Sequence, residues 1–317
     1  MIGNDIQQAK FLLRKGEVVG IPTETVYGLA ANAFDEMAVA KIFAVKNRPS
    51  FDPLILHTSS LESMDEFVME IPEKARRLAA SFMPGPLTLL LPKKAIVPDI
   101  VTSGLPRVAI RIPFHPLTLE LLRTLDFPLA APSANPFGYI SPTTAQHVAD
   151  QLGHKIPYIL DGGPCHVGME STILGFEEGV PTIFRKGGLA IEAIEKIIGP
   201  VQVKEHSSSN PASPGMLESH YAPGCPVFIG NLPELIEQHK GKRMGVITFK
   251  DHYAEIGKDL LIVLSEKGDF TEAARHLFSG MRQLDRQKPD IILAELLPEK
   301  ELGRAINDRL RRAASGG

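Results

Sequence analysis

Two basic residues, Lys46 and Arg48, stand at the end of a predicted helix, where they are suited to binding an anionic group. Pro49 disfavours helical geometry in the residue before it, so the helix must end near Arg48. Cations at this position also complement the helix dipole, and the spacing alone does not separate the two roles.

Two further arginines, Arg107 and Arg111, share one face of a predicted strand, because the apolar Val108 and Ile110 alternate with them. Either this face is a solvated sheet surface or it contacts a ligand. His57 ends another apolar strand and is also open to two interpretations, a packing histidine or a catalytic one.

Polar turns follow two of the predicted strands. The turn 23–25 (Thr-Glu-Thr) follows the strand 18–21, and the turn 133–135 (Ser-Ala-Asn) follows the strand 129–131. Ligand sites of α/β proteins form at such strand ends, although Ser, Thr and Asn are also ordinary turn residues. Tyr221 lies in a polar segment with little core to join, so docking onto a ligand is one interpretation of it.

Familiar motifs for nucleotides, metals and acyl transfer are absent from the sequence, which contains no GxxxxGK[ST], GxGxxG, HExxH or GxSxG. If the protein binds a nucleotide, dispersed side chains and turns must do so.

The charge balance argues against a protein that coats nucleic acid by bulk attraction, since 34 Lys and Arg face 37 Asp and Glu and the net charge is −3. Cys165 and Cys225 form no CxxC pattern, which indicates a reducing compartment. The amino-terminal segment lacks a signal peptide's apolar region, and apolar runs are shorter than the roughly 20 residues of a membrane span. We therefore expect a cytoplasmic protein.

The 317 residues are enough for two domains of the α/β class. Strand-like and helix-like segments alternate over residues 1–203. Short apolar strands separated by helices occupy residues 225–317 and predict a parallel, doubly wound sheet. Between these regions, residues 204–224 have no periodicity and are rich in Ser, Pro and Gly, which predicts an interdomain linker.

Two local signals predict helix starts. Asp35 is a capping residue ahead of the apolar positions Val39 and Ile42, which share one helix face. Ser141 followed by Pro142 combines a hydroxyl cap with proline at the first helical position, so a helix is expected to begin there.

Several of these segments together resemble the YrdC-type family. The resemblance is carried by IPTETVYGLAANAF, KIFAVKNRPSFDPLILH, APSANPFGYISPT, ESTI and IFRKGG, in the order expected for the family. The family's Lys-x-Arg and Ser-x-Asn pair stands here as Lys46-Asn47-Arg48 and Ser133-Ala134-Asn135. SPGMLESHYAP, followed by a second α/β domain, is similar to the long, two-domain threonylcarbamoyl-AMP synthases.

This resemblance implies a twisted mixed-sheet domain with a large cleft, joined to a smaller Rossmann-like parallel α/β domain. It also implies a reaction in which L-threonine, bicarbonate and ATP give L-threonylcarbamoyladenylate and pyrophosphate. A partner complex would then transfer the threonylcarbamoyl group to adenosine in tRNA. Mg²⁺ would arrive with ATP, and no protein ligand to the metal is assigned.

The resemblance assigns residues to the two substrates. The nucleotide side comprises Lys46, Arg48, Asp52, Arg107, Ser133, Asn135, Ser141, Arg185 and Tyr221. The threonine side comprises Thr25, His57, Arg111, Ala131 and Ser171. Lys46 and Arg48 are the expected catalytic pair, because cations stabilise the charge that develops as pyrophosphate leaves. Arg111 would hold the threonine carboxylate as a bidentate pair.

Two positions depart from the family's pattern. Many relatives carry Asn where this chain has Asp52, and a carboxylate near phosphates would repel them unless it helps to hold Mg²⁺. Arg107 stands where relatives often have a small hydroxyl residue. It would add a cation near the nucleotide unless the family's contact comes from the backbone.

Two other functions remain as alternatives. One is an RNA-binding YrdC-type module without synthase activity, against which the net charge and the intact Lys-x-Arg and Ser-x-Asn pair argue. The other is a carbamoyltransferase that uses carbamoyl phosphate. Related domains do this within larger proteins that carry metal-ligand clusters, and the second predicted domain contains no such cluster.

Overall fold

The structure, a computed structural model, describes residues 1–204, 213–214 and 221–315. Most of the predicted linker lies outside the described residues, and so does most of the SPGMLESHYAP motif. The boundaries given above for the linker and the two domains therefore stay predictions. The described chain forms two α/β units, each with its own sheet.

The amino-terminal unit is built, in the described ranges, on an eleven-stranded mixed sheet. Its strands are β1 (Ile2–Gly3), β2 (Val19–Ile21), β3 (Gly28–Asn32), β4 (Ile55–His57), β5 (Leu87–Pro92), β6 (Arg107–Arg111), β7 (Leu129–Ala130), β8 (Tyr158–Leu160), β9 (Thr172–Glu177), β10 (Val180–Arg185) and β11 (Gln202–Val203). They lie in the order β1-β8-β2-β3-β7-β4-β6-β5-β9-β10-β11. β4 runs parallel to β6, in a register that sets His57 beside Arg111.

Helices pack against this sheet: α1 (Ile6–Arg14), α2 (Glu36–Lys46), α3 (Leu61–Met64), α4 (Glu73–Phe82), α5 (Asp99–Thr102), α6 (Pro116–Thr124), α7 (Ala145–Leu152) and α8 (Ile191–Ile198). Leu56 and Ile110 join the largest apolar core on one face. Ile55 and Ala109 point to the opposite face, because side chains alternate along a strand. That second face also carries His57 and therefore holds the candidate site.

The helix that ends at the Lys-x-Arg motif is confirmed. α2 begins after Asp35, whose carboxylate accepts hydrogen bonds from the backbone N–H groups of Met37 and Ala38. It ends at Lys46, because Asn47 takes a left-handed conformation with φ 55°. Arg48 follows this turn and donates hydrogen bonds to the loop of residues 52 and 53.

The prediction that a helix starts at Ser141 is wrong. α7 begins three residues later, after Thr144, whose hydroxyl caps it. The carbonyl of Pro142 accepts a hydrogen bond from Tyr27 N at 2.9 Å, and that of Thr143 accepts one from Cys165 N at 2.9 Å. Because partners from distant segments take these carbonyls, the backbone stays extended here.

The carboxyl-terminal unit contains the predicted parallel sheet. Its strands β12 (Val227–Ile229), β13 (Met244–Thr248), β14 (Leu261–Val263) and β15 (Ile291–Ala294) lie in the order β12-β15-β13-β14 and are all parallel. The helices are α9 (Leu232–Gln238), α10 (Phe270–Arg286) and α11 (Gly303–Ala314), with a 3₁₀ turn at Lys258–Leu260. No helix in the part of the chain described here is long and apolar enough to cross a membrane.

The two units contact each other through α10 and α11. Arg282 of α10 donates hydrogen bonds to the carbonyl oxygens of Ile140 and Ser141, the latter at 3.2 Å. Ile140 and Met169 of the first unit also join the apolar cluster formed by the two helices. The second unit therefore lies directly behind one wall of the candidate site.

Candidate functional site

A cleft of about 580 Å³, its open mouth included, lies on the sheet face that carries β4 and β6. Three arginines line it: Arg48 after α2, Arg111 at the end of β6 and Arg185 at the end of β10. Each is at most 9% exposed. Such a concentration of buried guanidinium groups is suited to anionic ligands, because few water molecules screen their charge.

Arg48 is held by its own loop. Its Nε donates to the carbonyl oxygen of Asp52 at 3.0 Å, and its Nη2 donates to that of Pro53 at 2.8 Å. The Asp52 carboxylate lies 2.9 Å from Nη2 and is fully buried. Burial lowers the pKa of Arg48, and Asp52 opposes that effect. The guanidinium is therefore fixed in position at the cleft before any ligand binds.

Lys46 joins α2 to the Ser-x-Asn turn. Its ammonium donates to the carbonyl oxygens of Ser133 and Asn135, both at 2.5 Å, and the side chain is 1% exposed. Burial, and then the nearby Arg48, lowers the pKa of Lys46 well below its usual range. Lys46 thus supports the cleft from behind, whereas Ser133 lines it directly.

Arg185 and Ser171 also line the cleft and contact each other. Arg185 donates from Nε to the Ser171 carbonyl and from Nη2 to the Ser171 hydroxyl, both at 3.0 Å. The same hydroxyl lies 2.7 Å from Thr88 Oγ1. Burial lowers the pKa of Arg185 to about 10, so it stays cationic at neutral pH. Gly187 is required nearby, because a Cβ atom there would lie 2.4 Å from the Glu170 carbonyl oxygen.

Arg111 lies at the end of the cleft that Thr23 and Thr25 line. Its Nη1 donates to Thr25 Oγ1 at 3.0 Å, and its Nη2 is paired with the Glu24 carboxylate. The other Glu24 oxygen accepts the backbone N–H of Phe114 at 3.0 Å. Within the described residues, Arg111 Nε is buried without a hydrogen-bond partner. A buried donor beside two threonine hydroxyls, those of Thr23 and Thr25, favours a small polar ligand at this end.

Glu170 lies in the cleft wall beside Arg185. Its carboxylate accepts the Ser141 hydroxyl at 2.5 Å and Arg309 Nε at 3.1 Å. Burial alone would raise the pKa of Glu170, but Arg309 and then Arg185 bring it below its ordinary value. Because Arg309 belongs to α11, the second unit contributes charge to this wall.

Tyr221 closes the cleft on the side of the second unit. It lines the cleft, is 1% exposed and has a positive φ of 69°. Its ring stacks on Phe278 of α10 at a centroid distance of 5.3 Å. The tyrosine of the polar segment therefore does join a core, the one formed with α10 and α11.

Family models match the chain on both sides of residue 188. One, named for Sua5, YciO and YrdC and described as "Telomere recombination", matches residues 11–187. The other, described as "Threonylcarbamoyl-AMP synthase, C-terminal domain", matches residues 189–315. The chain belongs to the threonylcarbamoyl-AMP synthase family.

Curated relatives and solved structures agree with this assignment. The threonylcarbamoyl-AMP synthases of Pyrococcus abyssi and Bacillus subtilis are each 44% identical to the chain over 98% of its length, and the match covers 94% and 93% of those proteins. The crystal structure of P. abyssi Sua5 complexed with L-threonine superposes with a TM-score of 0.93 at 42% identity, covering 99% of this chain and 98% of that one. The predicted fold of both units is thereby confirmed.

Most of the residues that the family resemblance assigns are brought together by the structure. Thr25, Arg48, His57, Arg111, Ala131, Ser133, Ser171, Arg185 and Tyr221 line the cleft. Lys46, Asp52, Asn135 and Ser141 lie one contact behind it, through Ser133, Arg48 and Glu170. The binding roles given to these residues stay predictions.

Arg107 lies apart from the others. It begins β6, whereas Arg111 ends this five-residue strand, and it lines a separate groove with Pro72, Leu90 and Phe176. Its guanidinium carbon lies 5.0 Å from the centroid of the Phe184 ring. The Arg107 guanidinium therefore packs on an aromatic ring outside the arginine-lined cleft.

Three charged residues at the cleft are not identified by the sequence reasoning: Glu24, Glu170 and Arg309. Glu24 and Glu170 stand inside the TET turn and the ESTI motif, so their location was available as a signal. The sequence does not indicate which cations these carboxylates pair with, because Glu24 and Arg111, for example, are 87 residues apart in the chain. Arg309 is unmarked in a helix that reads as an ordinary amphipathic segment.

The carboxylates around the cleft are already paired with cations. Asp52 contacts Arg48, Glu24 contacts Arg111, and Glu170 contacts Arg309. In the described ranges, no group of three His, Cys, Asp or Glu side chains is placed to hold a metal ion.

His57 is held neutral by its surroundings. Burial, followed by the nearby Arg111, lowers the pKa of His57 to about 3. Its Nδ1 lies 3.1 Å from the Ile55 carbonyl oxygen, which accepts the proton on that nitrogen. Near neutral pH, the uncharged His57 ring can therefore hydrogen-bond and pack against a ligand, but it supplies no positive charge.

This neutrality predicts a pH dependence of stability. An unfolded histidine titrates near ~6.5, so between the folded and unfolded pKa values the unfolded state binds the extra proton and the free energy of unfolding rises with pH. We expect His57→Gln to reduce this slope by about 1.4 kcal/mol per pH unit between pH 4 and 6. Urea unfolding at several pH values measures it, with the exposed His154→Gln as the control. Equal slopes for His57→Gln and the unaltered protein would contradict the prediction.

Proposed function

We propose that the chain makes L-threonylcarbamoyladenylate from L-threonine, bicarbonate and ATP and releases pyrophosphate. The observation that carries the proposal is the cleft itself, in which buried arginines flank a small hydroxyl-lined end. A relative whose crystal structure was solved with L-threonine shares this fold over 99% of the chain. The product serves the modification of tRNA adenosine to N6-threonylcarbamoyladenosine.

The threonine end is the part around Arg111. Its guanidinium meets the amino-acid carboxylate, with the buried Nε as an open donor. The hydroxyls of Thr25 and Ser171, with the neutral His57, hydrogen-bond the remaining polar atoms. Ala131 limits the space beside them, because it is buried in the same wall.

The nucleotide end is the part around Arg48 and Arg185. The carbamate forms when the threonine amine attacks CO₂ from bicarbonate and loses a proton. One carbamate oxygen then attacks the α-phosphorus of ATP, the bond to the bridging oxygen of the β-phosphate breaks, and pyrophosphate leaves. Arg48 and Arg185 stabilise the charge on the phosphates, while Lys46 fixes the Ser133 turn against them. Mg²⁺ carried by ATP supplies further positive charge to the leaving group.

The surroundings of the reaction are part of the proposal. The adenylate is passed to a partner complex that transfers the threonylcarbamoyl group to tRNA, and the whole process takes place in the cytoplasm. The two free cysteines, Cys165 and Cys225, agree with a reducing compartment.

The test is pyrophosphate release from ATP and Mg²⁺ by the purified full chain, with threonine and bicarbonate left out in turn. The proposal expects release that requires both. Release without threonine, or none with both present, would overturn it. If no pyrophosphate is released with both present, two further measurements separate the alternative functions. One tests carbamoyl phosphate as the donor, and the other tests whether the chain binds RNA in a salt-sensitive way.

A further inference from the structure

A buried arginine of the second unit reaches the cleft of the first. Arg309 is 0% exposed, although it belongs to α11, and all of its described contacts are directed inward. Its Nε donates to Glu170 at 3.1 Å, its Nη2 to the Lys186 carbonyl at 2.9 Å, and its Nη1 to Asp308 at 2.5 Å. One guanidinium thus joins the ESTI and RKGG segments of one unit to a helix of the other.

The contact with Glu170 controls the charge of the cleft wall. Glu170 lines the cleft next to Arg185, and the two side chains interact electrostatically. If Arg309 were absent, the Glu170 carboxylate would be compensated by Arg185 alone. Arg185 would then be less available to an incoming phosphate. The negative charge of the Glu170 carboxylate would also repel that phosphate.

The same guanidinium also fixes Tyr221. Its carbon atom lies 5.0 Å from the Tyr221 ring centroid, while Phe278 stacks on that ring at 5.3 Å. Tyr221 lines the cleft, so Arg309 supports two lining residues at once. Aromatic and cationic contacts of this kind hold a ring in one orientation.

We propose that Arg309 is a positioning residue for the nucleotide: it neutralises Glu170 from the second unit and thereby leaves Arg185 to the substrate phosphates. The proposal rests on the function proposed above. It gives α11 a part in the reaction beyond packing, since the nucleotide end is incomplete without this helix.

The experiment compares Arg309→Gln with a matched control on the same helix. Arg304 also bridges the two units, donating to Glu192 at 2.8 Å, but it does so away from the cleft. We expect Arg309→Gln to raise the KM for ATP by about tenfold, equivalent to the loss of one strong charge interaction, while the KM for threonine changes much less. Arg304→Gln should leave both values unchanged.

A second comparison removes the Glu170 carboxylate, which Arg309→Gln leaves without its partner. Adding Glu170→Gln to Arg309→Gln should restore most of the ATP affinity. Thermal unfolding checks that each variant folds. If Arg309→Gln does not fold, the double variant, in which residue 170 carries no charge, takes its place in the comparison.

Three outcomes would overturn the proposal in an otherwise active enzyme. They are an unchanged KM for ATP in Arg309→Gln, an equal loss in Arg304→Gln, and a double variant as impaired as Arg309→Gln. Failure of the proposed function is distinguishable, because the unaltered chain would then show no release that depends on threonine and bicarbonate.

Discussion

Replacing Lys46 by methionine is expected to lower threonine- and bicarbonate-dependent pyrophosphate release by about 10²-fold, the usual cost of misplacing a group that positions the substrate. Methionine keeps the aliphatic stem but removes the ammonium. The carbonyl oxygens of Ser133 and Asn135 then lose the buried donor that lies 2.5 Å from each. The Ser-x-Asn turn is left without its link to α2, so Ser133 is no longer held at the cleft.

Lys41 provides the matched control for this prediction. It lies on the same helix and donates to the Gly16 carbonyl at 2.8 Å and to Glu17 at 2.9 Å, but its side chain is 43% exposed and outside the cleft. Lys41→Met should therefore retain the activity of the unaltered chain. A Lys46→Met enzyme that folds and works within tenfold of Lys41→Met would show that the ammonium is dispensable. Circular dichroism and thermal unfolding separate this from loss of the fold.

Much of the secondary structure follows from local pattern. The alternation of apolar residues predicts β6, and short apolar runs predict β4 and all four strands of the second sheet. Asp35 with Pro49 predicts both ends of α2. These features depend on side chains a few residues apart. The helix expected at Ser141 failed because its backbone carbonyls are taken by Tyr27 and Cys165, which lie far away in the chain. Local capping signals cannot report such competition.

The strand order is beyond local reasoning. β4 lies between β7 and β6, and β5 lies between β6 and β9, so neighbours in the sheet are often distant in sequence. Which strands pair depends on how the whole sheet buries its two faces. The family resemblance supplied the twisted mixed sheet as an expectation, and the superposition on P. abyssi Sua5 confirms it.

In the candidate site, too, the sequence predicts residue types but not the environment of each residue. Spacing left Arg111 as either a solvated or a ligand-facing arginine, and the structure excludes the solvated alternative, since the residue is 3% exposed. The compensating acids Glu24 and Glu170 could not be recognised, because their pairs with Arg111 and Arg309 are made across the fold. Four buried arginines, Arg48, Arg111, Arg185 and Arg309, with three buried carboxylates give a cleft whose charge is set by pairing and not by composition.

The same pairing explains the departure at position 52. In the sequence a carboxylate near phosphates appears unfavourable, but Asp52 is fully buried and turned toward Arg48 instead of the cleft. Its direct contact with the nucleotide stays a prediction, whereas its contact with Arg48 is part of the fold. Asp52 therefore acts on the cleft through the position and charge of Arg48.

This arrangement makes Asp52→Ala strongly destabilising. Breaking a buried ion pair leaves the other charge uncompensated, which costs about 3–5 kcal/mol. We expect the lower end of that range, because Arg48 keeps its hydrogen bonds to the carbonyl oxygens of residue 52 and of Pro53. Urea unfolding measures the change in the free energy of unfolding.

An exposed pair of the same type is the control. Arg76 and Asp65 lie 3.2 Å apart with side chains 53% and 52% exposed, so Asp65→Ala should cost only about 0–1 kcal/mol. If Asp52→Ala lost no more stability than Asp65→Ala, the buried pair would not be what holds Arg48. In that case Asp52 would be free to act on the nucleotide directly, and Asp52→Asn should change the KM for ATP without changing stability. If the large loss is found, the same substitution should change both, because the position of Arg48 depends on its partner.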